Sequence, residues 1–250
     1  MGTKENLERV SLQCRDLEIL RFCLEMKFSD IESLNLMFFD PKSQDMFGAR
    51  KRIQKIEAGG FLKSISMLSG TTKKFYLTTP KGYREVIKET SLETVPGVVT
   101  KLSIVTFEHD YGVLKTRMVL EKQGRASGWR SERLLKTIAQ VATKSLQRDF
   151  MPDGIFTSKQ GRVCAFEYEN KPKSETQLRE KIFRLKALME QEKPVFEACL
   201  FIASTDNLKN RIKRLTDFAP SKFIVQSVND LSQSQLITNL KDKESLSLQA

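Results

Sequence analysis

The sequence predicts an α/β chain in two parts: a helix-rich N-terminal domain carrying one β-hairpin, and a C-terminal domain built on a mixed central sheet. Three observations predict it. Apolar residues recur at helical spacing through the first segments. Two short β-rich runs follow, separated by glycine and small polar residues. In the second half, strand-like and helix-like segments alternate.

The first helix is expected from Gln13 to Glu25, where Leu17, Leu20 and Leu24 form a stripe widened by Ile19 and Cys23. Ser29 then reads as an N-cap, with Glu32 three residues on completing a capping box, before a short helix from Asp30 to Leu36. Asp40-Pro41 interrupts the pattern. A third helix is expected from Ser43 to Ala58, with Met46, Ala49, Ile53 and Ile56 inward and Gly59-Gly60 as the stop. Two strands, Phe61–Met67 and Lys74–Thr78, are joined by the turn Ser69-Gly70-Thr71-Thr72. Pro80 opens a fourth helix reaching about Lys88. Three helices, a hairpin and a closing helix compose a winged helix-turn-helix, and "FYLTTPKGYREV" resembles the wing-to-last-helix passage of bacterial winged-helix regulators. Residues 1–90 are therefore assigned to a DNA-binding domain and 91–100, with Pro96-Gly97, to a linker.

Charge supports that assignment. The chain has 250 residues, 40% hydrophobic and 29% charged, so it has the makings of a folded core rather than a disordered chain. Its net charge of +11 favours a polyanionic partner, here double-stranded DNA, over the alternative of a merely basic surface. In the third helix Arg50, Lys51, Arg52, Gln54 and Lys55 are candidates for groove or phosphate contact, against a plain solvated face. Lys73 and Lys74 stand at the wing, where phosphate contact is the candidate role. No apolar run reaches the roughly 18–20 residues that cross a bilayer, and Met1-Gly2 followed by Asn6 is a poor myristoylation signal. The expectation is a cytoplasmic, bacterial, nucleoid- or plasmid-associated protein with no membrane partner. Cys14, Cys23, Cys164 and Cys199 are scattered and His109 is the only histidine, which argues against structural zinc and for reduced thiols.

The second domain is assigned to residues 101–239, with 240–250 a tail. Helices are expected over Val105–Leu120, Glu132–Lys144, Glu175–Gln191 and Asn207–Phe218, and strands over Phe150–Phe156, Val163–Glu169, Phe196–Ala203 and Phe223–Val228. Glu167 and Glu169 sit two apart on one strand, so their carboxylates share a face. Two arrangements fit this spacing, the solvent face of an edge strand and an acidic site. A hairpin that sets Asp153 beside Glu167 would place two carboxylates as hard-cation ligands for Mg²⁺ or Mn²⁺. Lys171 and Lys173 follow at once as candidate cations. Lys209, Arg211, Lys213 and Arg214 form a basic helix face that either tracks phosphates or is simply solvated.

Pro152-Asp153 and Glu167 resemble the PD-(D/E)XK nuclease motif, and Glu169 stands where that motif has lysine. Glu132 in "WRSERLL" is the candidate for the acidic residue such cores carry in their first helix. Residues from about 13 to 231 resemble the replication-relaxation family of plasmid and mobile-element proteins, through "HDYGVLKTR", "WRSERLL", "PDGIF", "AFEYENKPKSETQLREKIFRL" and "CLFIASTDNLKNRIKRLTDFAPSKFIVQSVNDL". That resemblance implies a winged helix joined to a restriction-endonuclease-like (PD-(D/E)XK) domain. It is similar to the relaxases of C-type mobilised plasmids and implies metal-dependent DNA nicking, with His109 and Asp110 in the site. Tyr111 and Tyr168 are the tyrosines nearest these motifs should a covalent DNA link be formed. The alternative is a non-catalytic DNA-binding regulator or replication accessory factor with a decayed nuclease fold.

Overall fold

The structure is a computed structural model that describes residues 10–39, 46–66, 73–89, 95–142 and 151–231. The Asp40-Pro41 break, the start of the third helix at Ser43, the turn Ser69-Gly70-Thr71-Thr72, Phe150 and the 240–250 tail lie outside the described residues. Backbone contacts divide the chain into two units, residues 1–104 with 133–148 and residues 105–132 with 149–250.

In the first unit, α1 (Cys14–Glu25), β1 (Ser29–Asp30), α2 (Ile31–Phe38), α3 (Phe47–Ala58), β2 (Leu62–Ser66), β3 (Lys74–Thr78) and α4 (Pro80–Glu89) follow in order. The strands form an antiparallel sheet in the order β1-β3-β2. Its core is the predicted stripe of α1, with Ile19, Leu20 and Leu24, joined by Phe28, Leu34, Ile53, Ile56, Leu62 and Leu77. The cap of α2 differs from expectation. Ser29 pairs with Tyr76 in β1, and Asp30 caps the helix by accepting from the Ser33 N–H at 2.7 Å. A cap must directly precede the first helical turn, and Ser29 is already held by the sheet. Glu32 instead pairs with Lys73 at 2.9 Å.

Asp16 is fully buried and serves two elements. It accepts from the Gln13 N–H at 2.7 Å, tying down the start of α1, and from Arg52 Nε on α3 at 2.9 Å. Arg52 also donates to the Ser11 carbonyl at 3.0 Å. Asp16→Ala removes a helix cap and leaves a largely buried guanidinium without its partner. The expected loss is about 2–3 kcal/mol, read as a lower midpoint in urea. An unchanged midpoint would show that solvent replaces the carboxylate at no cost.

The second unit contains α5 (Ile104–Lys122), β4 (Ala126–Ser131), β5 (Gly154–Ser158), β6 (Val163–Glu169), α7 (Glu175–Met189), β7 (Ala198–Ala203), α8 (Asp206–Thr216) and β8 (Phe223–Ser227). Between β4 and β5 runs α6 (Glu132–Ala142), whose residues from Arg133 onward group with the first unit. There Arg133 donates to the carbonyls of Leu24 and Gly97. The five strands form a mixed sheet in the order β4-β5-β6-β7-β8, with β4, β5 and β6 antiparallel and β6, β7 and β8 parallel. Parallel neighbours need a crossover, which α7 and α8 supply. Every residue of β7 is buried, which explains its unbroken apolar run. Ser174 starts α7 by a reciprocal cap with Gln177, each bond 3.2 Å.

The strand β4 was not expected. Only Ala126, Trp129 and Ser131 of its six residues are buried, so its sequence lacks the strict alternation that marks a strand. The strand expected over Phe150–Phe156 lies later, at Gly154–Ser158. Among the described residues, no helix is long and apolar enough to cross a membrane.

Candidate functional site

The β5–β6 hairpin pairs Gly154 with Phe166, which sets Asp153 opposite Glu167. The main chain around Asp153 is held from two sides. The Glu132 N–H donates to its carbonyl at 3.0 Å, and its Oδ2 accepts from the Tyr168 N–H at 2.8 Å. His109, on α5, places Nε2 3.2 Å from the same Oδ2. Asp110 lies on the other side of that ring, 3.8 Å from Nδ1, and accepts from Thr106 Oγ1 at 2.9 Å.

Glu167 and Glu169 are 1% and 3% exposed, which rules out the solvent face of an edge strand. The strand β6 lies between β5 and β7, so both of its edges are paired. Two buried carboxylates on one face require a cation. It comes from α7: Lys181 Nζ is 2.5 Å from Glu167 Oε2 and 2.7 Å from Glu169 Oε1. Lys173 reaches Glu169 only, at 2.9 Å, and Lys171 is exposed with no ion pair among the described residues. Neither of the expected lysines therefore meets Glu167, and Lys181 does. Its signal was present in α7. Lys181 flanks the buried stripe of Leu178, Ile182 and Leu185, as a residue does that reaches past the helix edge toward the sheet.

Electrostatics follow from this packing. Burial pushes the Glu167 carboxyl up to about 8, with Lys181 opposing and Asp153 and Glu169 adding to the shift. Burial works the same way on Asp153, but is outweighed by the His109 hydrogen bond, by Lys181 and by the Tyr168 N–H, which hold it below the usual range. For His109, burial disfavours the charge, and bonds to Asp110 and Asp153 overcome it and raise the imidazolium to about 10. Lys181 is also desolvated, yet Glu167, Asp153 and Glu169 lift it well above its ordinary value. At neutral pH the cluster holds a charged Lys181, a charged His109 and an ionised Asp153.

Glu167 Oε1 is buried and has no hydrogen-bond partner. Both polar contacts of Asp153's side chain fall on Oδ2. One oxygen of each carboxylate is thus uncommitted among the described residues. This donor set fits Mg²⁺ or Mn²⁺, ions held through one or two carboxylates with the remaining positions filled by water and phosphate. Among the described residues no group of three or more His, Cys, Asp or Glu could hold a metal, so a closed protein cage is not present. Beside Lys181, a groove of about 380 Å³ is lined by Lys173, Gln177, Glu180, Lys181 and Arg184.

The basic candidates of the first unit separate into two groups. Arg50, Lys51, Gln54 and Lys55 are exposed along α3, and Lys74 is exposed at the start of β3. Arg52 is committed to Asp16, and Lys73 to Asp30 at 3.1 Å and Glu32 at 2.9 Å. The α3 surface thus keeps its cations at 50, 51 and 55, while Arg52 and Lys73 act within the fold. No family model, curated protein or solved structure matches the chain.

Proposed function

We propose that this chain is a DNA-processing protein of plasmid or mobile-element replication or mobilisation, acting in the cytoplasm on double-stranded DNA. In this reading the first unit is a winged helix and the second a PD-(D/E)XK-type core of the replication-relaxation family, which nicks DNA with Mg²⁺ or Mn²⁺. One observation carries it: Lys181 brings an ammonium onto Glu167, which the hairpin pairs with the Asp153 side. Two carboxylates and one ammonium at the end of a mixed sheet are the groups that phosphodiester hydrolysis uses.

Asp153 and Glu167 would hold the cation. When bound, it would supply Lewis-acid stabilisation of the phosphate and an activated water. Lys181 neutralises charge developing on the phosphate oxygens, and the cationic groove beside it gives the backbone an approach. His109 and the Tyr168 N–H both bond Oδ2 of Asp153, fixing its rotamer and keeping it ionised. Exposed Arg50, Lys51, Lys55 and Lys74 supply phosphate contacts that position the duplex.

The test is conversion of supercoiled plasmid to open circles with Mg²⁺ or Mn²⁺. Asp153→Ala is expected to lower the rate by about 100-fold or more, since it removes half of the cation's protein ligands. Equal rates for the variant and wild type would remove Asp153 from any catalytic role. A second reading, a DNA-binding regulator or replication accessory factor without chemistry, is favoured by the lack of a three-ligand group among the described residues and by Lys181 already neutralising both glutamates. It predicts duplex binding that falls steeply with salt and no nicking by the wild type with either metal.

A further inference from the structure

A cavity of about 270 Å³ lies between α5 and the end of β6, lined by Glu108, Tyr111, Gly112, Thr116, Tyr168 and Leu231 among others. Its floor is Tyr168, whose neighbours on either side are Glu167 and Glu169 and whose N–H holds Asp153. Strand alternation sends the Tyr168 ring to the face opposite the two carboxylates. There it packs on Gly112, where a Cβ would come within 2.1 Å of the ring and 2.6 Å of the hydroxyl oxygen. The glycine is what lets the ring lie flat against α5 and turn its hydroxyl into the cavity.

Two polar groups converge there without partners. Tyr168 is 7% exposed, and its hydroxyl makes no hydrogen bond among the described residues. Glu108, exposed at the rim, likewise has none. A phenol hydroxyl can both donate and accept. The remaining wall is apolar and aromatic, with Val119, Val228, Leu231 and the Tyr111 ring. Lys115 stands 5.1 Å over that ring and lines the same cavity.

The volume is below the roughly 300–1,000 Å³ of pockets for drug-sized ligands and suits a single planar ring system. Aromatic and apolar walls stack a base, a hydroxyl meets a ring nitrogen or carbonyl, and a carboxylate accepts from an exocyclic amino group. We infer that this cavity takes one unstacked nucleobase bearing an exocyclic amino group. The inference deepens the DNA-processing reading and rests on it for the identity of the ligand.

The test is metal-free titration with 2′-deoxycytidine, 2′-deoxyadenosine and thymidine, followed by saturation-transfer NMR. Wild type is expected to bind an amino-bearing nucleoside about tenfold or more tightly than thymidine, the worth of one hydrogen bond to a charged group. Glu108→Ala, which leaves no acceptor, should erase that preference. Tyr168→Phe should weaken binding of the same nucleoside, and Val119→Trp, which fills the cavity, should abolish it. Absence of nucleoside binding by wild type, or binding indifferent to Val119→Trp, would overturn the inference. The readout involves no cleavage and no metal, so a failure of the nicking reading and a failure of this site give different results.

Discussion

Lys181→Met is expected to cost about 3 kcal/mol of stability at pH 9 and, under the proposed function, to lower DNA nicking by about 100-fold. Glu167 and Glu169 are 1% and 3% exposed and share this ammonium, so its loss strands two buried carboxylates. Methionine keeps the length of the stem, which confines the effect to charge. The stability cost depends on pH, and its sign follows from the shifts. Glu167 is raised from an ordinary 4.5 to about 8, so between those values the folded state holds a proton that the unfolded state has released. Its contribution is fully present below 4.5 and is lost as pH rises through about 8. His109 is raised from 6.5 to about 10, so its contribution is complete below 6.5 and is lost as pH climbs through about 10. Wild type should therefore lose stability from about pH 4.5 to about pH 10. In Lys181→Met the decline should steepen, because nothing then opposes the desolvation of an ionised Glu167. Urea midpoints at pH 6 and 9 check this. A variant with the same deficit at both pH values would mean that Lys181 contributes packing and no charge.

Gly82→Ala is expected to destabilise the first unit by about 3 kcal/mol. A Cβ there would stand 2.3 Å from the Phe61 carbonyl oxygen and 2.9 Å from Thr78 Cγ2. The carbonyl cannot withdraw easily, because it accepts from the Thr79 N–H at 3.0 Å and from Thr79 Oγ1 at 3.1 Å. Thr79 Oγ1 also accepts from the Gly82 N–H at 3.1 Å, so α4 is drawn onto this point from both sides. Gly48→Ala is the control. Nothing lies within 4 Å of its would-be Cβ, so the gain in helix propensity should leave stability unchanged or raise it by up to about 1 kcal/mol. Thermal unfolding followed by circular dichroism separates the two. Equal midpoints for both variants would show that the α4 contact yields.

Particular elements show how far the chain could be read without coordinates. The stripe Leu17, Leu20 and Leu24, widened by Ile19 and Cys23, marked α1 because a one-sided apolar face has a period that neighbouring residues record; all but the half-buried Leu17 are buried. The bounds of β3 and β6 were legible as short β-rich runs flanked by glycine and polar residues. In β4, Trp129 and Ala126 are buried while Ser127, Gly128 and Arg130 are exposed, and a bulge between Ser127 and Arg130 disrupts the alternation. Arg52 and Lys73 looked like the other cations around them, since nothing local reveals that Asp16 and Asp30 wait for them.

The candidate site divides along the same line. That Glu167 and Glu169 share a face and that Asp153 precedes the partner strand could be read from residue order, because strand periodicity and hairpin order are local properties. Their burial could not, since it depends on long-range packing: β7 pairs along the far edge of β6, and α7 lays Lys181 against that face. The tertiary structure also decided which lysine matters. Lys171 and Lys173 are near in sequence, yet the ammonium that joins Glu167 to Glu169 comes from Lys181, a separation of 12 from Glu169. The crossover from β6 to β7 carries α7 back over the sheet, and two desolvated carboxylates hold the cation that this path brings within reach.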